Sequence, residues 1–145
     1  MEKAFHALNA RRHGAAASVP DAASLVRSYG LRPELLAMSN AWRHGGTGRT
    51  FIATKGAPEA IAGLCRLDPA AREQMQRQVD EMANRGVRVL GIARASFDGD
   101  AWPESQTGFA FRYLGLVGLA DPLRPGVADA VKQCRSAGIR VVMIT

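Results

Sequence analysis

Residues 44–65 have the sequence HGGTGRTFIATKGAPEAIAGLC, which contains a sharp break, an apolar run and a helix start in succession. The Gly-rich break at 44–48 separates the mostly apolar run 34–43 from the β-branched and aromatic run 50–54. Two such runs around a five-residue break are typical of a β-hairpin. Leu35–Met38 alone would also suit a helix. The stretch as a whole predicts two antiparallel strands that lead into a helix.

Outside this hairpin, helical and strand patterns follow one another along the chain. The clearest helix begins at Asp68 as N-cap with Pro69 behind it, continues with apolar residues at helical spacing, and ends before Gly86. Period-two alternation and β-branched residues predict further strands. The other predicted helices are Glu2–His13, Asp21–Ser28, Ala57–Cys65 and Pro125–Ala137, and the other predicted strands are Val87–Ala95, Phe109–Ala120 and Ile139–Thr145.

The composition of the chain indicates a globular protein. It has 145 residues, of which 47% are hydrophobic and 22% charged, which suits one domain or one domain and part of another and excludes an intrinsically disordered chain. No apolar run approaches the roughly 20 residues of a membrane span. Two cysteines are too few for a disulfide framework, and no secretory signal is evident. We therefore expect a soluble, intracellular, reduced protein.

The formal net charge of +6 comes mostly from arginine and favours anionic partners. The arginines are scattered, only Arg11 and Arg12 are adjacent, and no aromatic residues are interleaved with them as in a base-stacking platform. A solvated basic surface is therefore favoured over a nucleic-acid interface. A basic nucleic-acid-binding module stays open as the alternative.

Three positions can carry chemistry. Lys55 followed by Gly56 and a helix start puts an ammonium beside free backbone N–H groups, which suits an anion, although this motif taken alone favours a surface lysine in a strand-to-helix turn. Arg88 on a strand can bind a phosphate through two hydrogen bonds from its planar guanidinium, or it can form a cross-strand salt bridge. Asp121 at the end of an apolar strand can hold magnesium or a phosphate loop, or cap a helix. The three histidines lack metal-ligand spacing, so no metal site is predicted.

Together these motifs resemble the cytoplasmic ATP-binding region of P-type ion-transporting ATPases, most closely the calcium and related cation pumps of bacteria. The segment KGAPE at 55–59 is the family's signature, and the other segments are similar to the family's motifs in the same order. Any one of these matches is weak, and six in order across the chain are strong. The six segments are Met1–Phe5, Leu31–Ser39, Lys55–Glu59, Gly86–Ala93, Leu114–Arg124 and Ala137–Thr145.

The resemblance implies an α/β fold of the α+β type with two parts. Residues 1–120 would be most of a nucleotide-binding domain, an antiparallel sheet flanked by helices. Residues 121–145 would be the first helix and strand of a phosphorylation domain like that of haloacid dehalogenases. The chain would be a cytoplasmic fragment of an inner-membrane pump, and we expect its last 21 residues, 125–145, to be mobile or mispaired because the rest of their sheet is absent.

The resemblance also assigns roles to single residues. The nucleotide-binding set would be Glu2 at the polar rim, Lys55 and Gly56 at the deep end of the pocket, and Arg88 at the phosphates. Asp121 and Arg124 would lie at the hinge, and Thr145 would begin a phosphate-contacting loop.

Two departures from the family pattern affect the adenine pocket. Many relatives have Phe at the position of Leu31 and Lys at the position of Leu36, so the pocket loses a stacking ring and a cation. Loss of the ring would cost about 0.5–1.5 kcal/mol. The candidate adenine contacts are then Leu31, Met38 and Tyr29, whose ring could substitute for the missing one.

The activity that the resemblance implies belongs to the whole pump. ATP, with Mg²⁺, would bind here and present its γ-phosphate to an aspartate of the phosphorylation domain. That aspartate is absent from the sequence, so the chain is expected to hold no catalytic residue and to be inactive alone. The expected partners are the remaining phosphorylation, actuator and membrane domains. A complete small phosphohydrolase around Asp121 is disfavoured, because the nucleophile loop is missing.

Overall fold

The computed structural model describes residues 23–99, 101–120 and 124–144. Its centre is a five-stranded antiparallel sheet in which each strand pairs with the next along the chain, in the order β1-β2-β3-β4-β5. The strands are β1 (Ala23–Tyr29), β2 (Ala37–His44), β3 (Thr50–Gly56), β4 (Arg88–Phe97) and β5 (Arg112–Leu119).

The predicted hairpin is confirmed as β2 and β3. The turn closes with hydrogen bonds from the Gly48 N–H to the His44 carbonyl at 2.8 Å and from the His44 N–H to the Arg49 carbonyl at 2.9 Å. Gly48 has a φ of 66°, in the left-handed region that glycine adopts without steric penalty. The Gly-rich break is therefore the turn itself.

Two helices connect β3 to β4. Helix α1 (Pro58–Leu64) begins directly after the hairpin, and helix α2 (Pro69–Ala83) follows it. The Asp68 carboxylate accepts a hydrogen bond from the Ala71 N–H at 2.8 Å, which confirms the predicted N-cap. Gly86, with a φ of 71°, ends the segment as predicted.

The core lies on one face of the sheet. Alanines line that face, including Ala37, Ala41 and Ala93, and their small side chains allow close approach. Helix α1 packs closely against this face of the sheet. A Cβ added at Gly91 on β4 would lie 2.9 Å from the Cβ of Ile61 on the helix, and Ile61 is fully buried. Aromatic residues of the connection between β4 and β5 and of the sheet complete the core, namely Phe109, Phe111 and Tyr29.

The first strand corrects the sequence analysis, which predicts a helix over Asp21–Ser28. Asp21 and Ala22 lie outside the described residues, and β1 occupies residues 23–28 of that segment. Pairing with β2 places Tyr29 opposite Ser39 and buries its ring, and its hydroxyl donates to the Pro103 carbonyl at 2.8 Å. The local helical tendency is overridden by this tertiary pairing.

The C-terminal segment is partly as predicted. Helix α3 (Val127–Ser136) is confirmed, and Gly138 with a φ of 75° ends it. The strand predicted at Ile139–Thr145 is wrong for its described part, because residues 139–144 pair with no strand among the described residues. Met143 and Ile144 are 85% and 94% exposed. An apolar strand needs a ladder partner, and the described part of the chain supplies none here. The antiparallel sheet with helices is confirmed, whereas the phosphorylation-domain part stays a prediction.

Candidate functional site

The face of the sheet opposite the core carries the candidate site. Side chains alternate between the two faces of a strand, and directly paired residues share a face. The described side chains on this open face are all half-buried or exposed. The open face includes Met38, Asn40 and Trp42 on β2, Phe51, Ala53 and Lys55 on β3, Arg88, Leu90, Ile92 and Arg94 on β4, and Val117 and Leu119 on β5.

A shallow cavity of about 230 Å³ lies near the middle of this face. Its floor is Ala53, which pairs with Asn40 on β2 and with Arg94 on β4. The short alanine side chain between longer neighbours creates the depression. The walls are mainly apolar, and the polar groups that reach the cavity are few. The other lining residues are Met38, Asn40, Trp42, Thr54, Lys55 and Ile92.

Lys55 forms one end of the cavity. It is the penultimate residue of β3, half-buried, and lies opposite Met38 on β2 and Ile92 on β4. The next residue, Gly56, is buried, and a Cβ added there would lie 2.7 Å from the Cα of Ala37. The close approach of β2 and β3 thus requires glycine at 56.

Arg88 lies on the same open face as Lys55. It is exposed, begins β4, and pairs with Leu119 on β5. It lies four positions before Ile92, the partner of Lys55, which at roughly 3.4 Å per residue is a distance of about 14 Å along the strand. Leu90 lies between them on the same face. The two cations therefore border one continuous strip of the sheet, although Arg88 does not line the cavity itself.

The other predicted site residues are dispersed. Met38 lines the cavity beside Lys55. Leu31 is 64% exposed in the loop after β1 and does not line the cavity. Arg124 is exposed and lies outside the sheet. Glu2, Asp121 and Thr145 lie outside the described residues.

The structure separates Tyr29 from this cavity. Its ring is 8% exposed and packs edge-on against Phe109 at 5.4 Å between ring centroids, on the covered face. Burial raises the pKa of its phenol, and nearby Arg27 lowers it by a smaller amount. Because the ring is part of the core, it cannot replace a stacking ring on the open face, and the suggested substitution by Tyr29 is corrected.

Sequence reasoning missed five of the seven residues that line the cavity, namely Asn40, Trp42, Ala53, Thr54 and Ile92. Asn40, Trp42 and Ala53 lie at alternate positions of the predicted hairpin, so their shared face with Met38 and Lys55 was implicit in the period-two pattern. The missing information was the register, which pairs Asn40 with Ala53 and leaves the gap above the alanine.

A second basic region lies at the hairpin end of the same face. Arg94 and Arg49 line a neighbouring cavity of about 510 Å³ together with Asp98. Arg94 also lies directly opposite Arg112 on β5, so two like charges face each other. The open face therefore has cations at both ends of the central cavity.

Comparisons with known proteins agree with this architecture. Residues 37–126 match the family described as P-type ATPase, cytoplasmic domain N. The chain belongs to the P-type cation-transporting ATPases. The match includes the hairpin, both connecting helices, and strands β4 and β5, so the open face and its cavity lie within the shared domain.

Three relatives illustrate the range of this family. The sodium/potassium-transporting ATPase subunit alpha-1 of Oreochromis mossambicus is 34% identical over 69% of this chain and 12% of its own length. The plasma membrane-type calcium-transporting ATPase 2 of Arabidopsis thaliana is 35% identical over 68% of the chain and 11% of its own length. The endoplasmic reticulum calcium ATPase srcA of Aspergillus fumigatus is 36% identical over 65% and 12%, respectively.

The chain thus spans about an eighth of the length of these P-type ATPase relatives. Among the described residues, no helix has the length and apolarity to cross a bilayer.

Proposed function

We propose that this chain binds ATP on the open face of its sheet, as the nucleotide-binding part of a cation-transporting P-type ATPase. The observation that carries the proposal is the combination of a mainly apolar cavity with Lys55 at one end and Arg88 farther along the same face. In the whole pump, the bound nucleotide would present its γ-phosphate to an aspartate of the phosphorylation domain.

The chemistry of the face matches the two ends of a nucleotide. A purine base is flat and largely apolar, and it suits a cavity whose floor is Ala53 and whose walls include Ile92. The triphosphate is polyanionic and suits the ammonium of Lys55 and the guanidinium of Arg88. An extended nucleoside triphosphate can bridge the strip between these two cations. Glu2, Asp121, Arg124 and Thr145 stay predictions for the rim, hinge and phosphate loop.

The domain division follows from the same proposal. Residues 1–120 would be the nucleotide-binding domain and residues 121–145 the beginning of the phosphorylation domain. Residues 139–144, which are apolar except for Arg140 and have no strand partner among the described residues, would join the sheet of that second domain in the complete pump. In the described part of the chain, no group of three or more His, Cys, Asp and Glu side chains is suited to a metal ion, so Mg²⁺ would arrive bound to the nucleotide phosphates.

A titration of the chain with ATP, monitored by backbone amide shifts, tests the proposal. We expect saturable shifts at Met38, Ala53, Lys55 and Arg88. The Lys55→Ala variant should bind ATP about tenfold more weakly, and Arg88→Ala about threefold to tenfold more weakly because its exposed charge is screened by solvent.

The chain offers matched controls for both variants. Lys132→Ala removes a lysine on helix α3, and Arg94→Ala removes an arginine from the same strand and face as Arg88 that lies beside the cavity floor, opposite Ala53. Both should bind ATP within about twofold of the unchanged chain, a difference of only about 0.4 kcal/mol. A stronger effect of Arg94→Ala than of Arg88→Ala would reverse the proposed orientation of the phosphates, and no shifts at millimolar ATP would refute the function.

The same variants distinguish the nucleic-acid alternative. A basic binding module would retain single-stranded or duplex DNA with a steep dependence on salt, and each removed phosphate contact would lower that dependence by about one unit of slope. We expect only weak retention that Lys55→Ala leaves unchanged. Tight, salt-dependent retention with no ATP shifts would favour the alternative.

A further inference from the structure

We propose that a polar cavity beside β1 binds a small zwitterion, a free amino acid or an unblocked dipeptide, with Arg27 binding its carboxylate and Glu104 its ammonium. The cavity has a volume of about 340 Å³ and lies between the end of β1 with its following loop and the connection from β4 to β5. It shares no lining residue with the central cavity of the open face, so this inference does not depend on ATP binding there.

A β-bulge in β1 turns Arg27 towards this cavity. Leu25 pairs with Trp42 on the open face, whereas Arg27 pairs with Ala41 on the covered face, so Val26 is an extra residue between the two pairs. Without that extra residue, period-two alternation would place Arg27 on the same face as Leu25. Bulges redirect side chains in this way, often beside functional sites. The distortion of β1 thus brings a cation to the covered face.

The guanidinium of Arg27 is held in position while its charge is left without a counterion. Arg27 is half-buried, and its guanidinium carbon lies 5.1 Å from the ring centroid of Tyr29 and 5.9 Å from that of Trp102. It forms no hydrogen bond or ion pair with any described residue. Stacking leaves the N–H groups at the edge of the guanidinium free, and these match the two oxygens of a carboxylate.

The charged residues that line the cavity are two arginines and two glutamates. Arg32 and Glu34 lie 4.0 Å apart and compensate each other. Arg27 and Glu104 have no ion pair in the described part of the chain. The cavity therefore offers one uncompensated cation and one uncompensated anion. A simple anion would be repelled by the carboxylate and a simple cation by the guanidinium, whereas a zwitterion satisfies both groups.

Hydrogen bonds across the cavity give it a fixed width. The Tyr29 hydroxyl donates to the Pro103 carbonyl at 2.8 Å, and the buried Gln106 amide donates to the Ala37 carbonyl at 2.8 Å and accepts from the Ser39 hydroxyl at 2.5 Å. These bonds join the β4–β5 connection to β1 and β2. Because the walls are already held in place, little ordering is required when a ligand binds. The volume is in the usual range for a small-molecule site.

Titration of the chain with alanylalanine, monitored by backbone amide shifts, tests this site. We expect saturable shifts at Arg27, Gly30 and Thr107, which line the cavity, and none at Lys55. Acetyl-alanylalanine has no ammonium and alanylalanine amide has no carboxylate, so each should bind at least about tenfold more weakly. Saturating ATP should leave the affinity for the dipeptide unchanged, because the two cavities are separate.

Variants of the two charged residues test their separate roles. Arg27→Gln should weaken alanylalanine binding about tenfold, and Arg27→Lys, which keeps the charge and loses the planar group, about threefold. Glu104→Gln should bring the affinities for alanylalanine and its acetylated analogue to within about twofold of each other, because the partner of the ammonium is gone. Arg112→Gln removes an exposed arginine of β5 and should change nothing. Circular dichroism of each variant is the folding control.

Several outcomes would overturn the proposal. The absence of saturable shifts with alanylalanine would do so, as would equal binding of the dipeptide and its two blocked analogues by the unchanged chain. Equal dipeptide affinity in Arg27→Gln and the unchanged chain would contradict the role of Arg27. An undiminished preference of Glu104→Gln for the free ammonium would contradict the role of Glu104. Competition between ATP and the dipeptide would show that the ligand binds the open face instead.

Discussion

Replacing Gly56 by alanine tests why the family signature contains a glycine at this position. A Cβ at residue 56 would collide with the Leu36 carbonyl oxygen and lie 2.7 Å from both the Cα and the Cβ of Ala37. These are mostly backbone atoms at the beginning of β2, and they can move away only if the paired ends of β2 and β3 separate. The glycine is thus required by strand packing, before any ligand is considered.

The expected loss of stability has two sources. Overpacking of a well-packed site costs about 1–3 kcal/mol. Separation of the strands also strains the hydrogen bond from the Ala57 N–H to the Leu36 carbonyl, 2.9 Å long, and such a bond contributes about 0.5–1.5 kcal/mol. The free energy of unfolding of Gly56→Ala should therefore fall by about 2–4 kcal/mol in total.

Urea unfolding monitored by far-ultraviolet circular dichroism measures this loss. With a slope of about 2 kcal/mol per molar urea, the midpoint should fall by about 1–2 M. Gly63→Ala is the matched control, because a Cβ at residue 63 meets no atom within 4 Å and the residue lies in helix α1; it should gain about 0.5–1 kcal/mol. If Gly56→Ala unfolded at the same urea concentration as the unchanged chain while losing ATP binding, the packing argument would be refuted and the glycine would serve ligand approach instead.

Three further predictions concern the covered face and the caps. The Tyr113 hydroxyl is buried and has no hydrogen-bond partner among the described residues, so Tyr113→Phe should raise the free energy of unfolding by about 1 kcal/mol in urea titrations. A loss of that size would show that the hydroxyl is satisfied. Burial raises the pKa of the Cys65 thiol, so the unfolded thiol ionises first and the free energy of unfolding should fall as pH rises above about 9. Urea titrations in reductant should show a shallower fall for Cys65→Ala, and an identical fall in both proteins would contradict this assignment. Asp68→Ala removes the N-cap of α2 and should lower thermal stability by about 1 kcal/mol, whereas Asp68→Asn should retain most of it.

The parts of the fold that depend on neighbouring residues in sequence were predictable. The hairpin turn at 44–48, the Asp68 cap and the glycines that end α2 and α3 are local signals, because each satisfies backbone groups within a few residues. Strand β1 was not predictable in this way. Its residues suit a short helix locally, and only pairing with β2 and burial of Tyr29 against Phe109, 80 residues later in the sequence, select the extended form.

The candidate site shows the same difference between features set by local sequence and features set by tertiary structure. The amino-acid sequence alone determined the KGAPE segment, the strand that carries Arg88 and the family to which the chain belongs, because signature residues and period-two alternation are written in consecutive positions. Only the tertiary structure decided that Asn40 lies opposite Ala53, that Trp42 lines the cavity with Lys55, and that Tyr29 belongs to the other face. These facts depend on strand register, and a slip of one residue would exchange the two faces of the sheet.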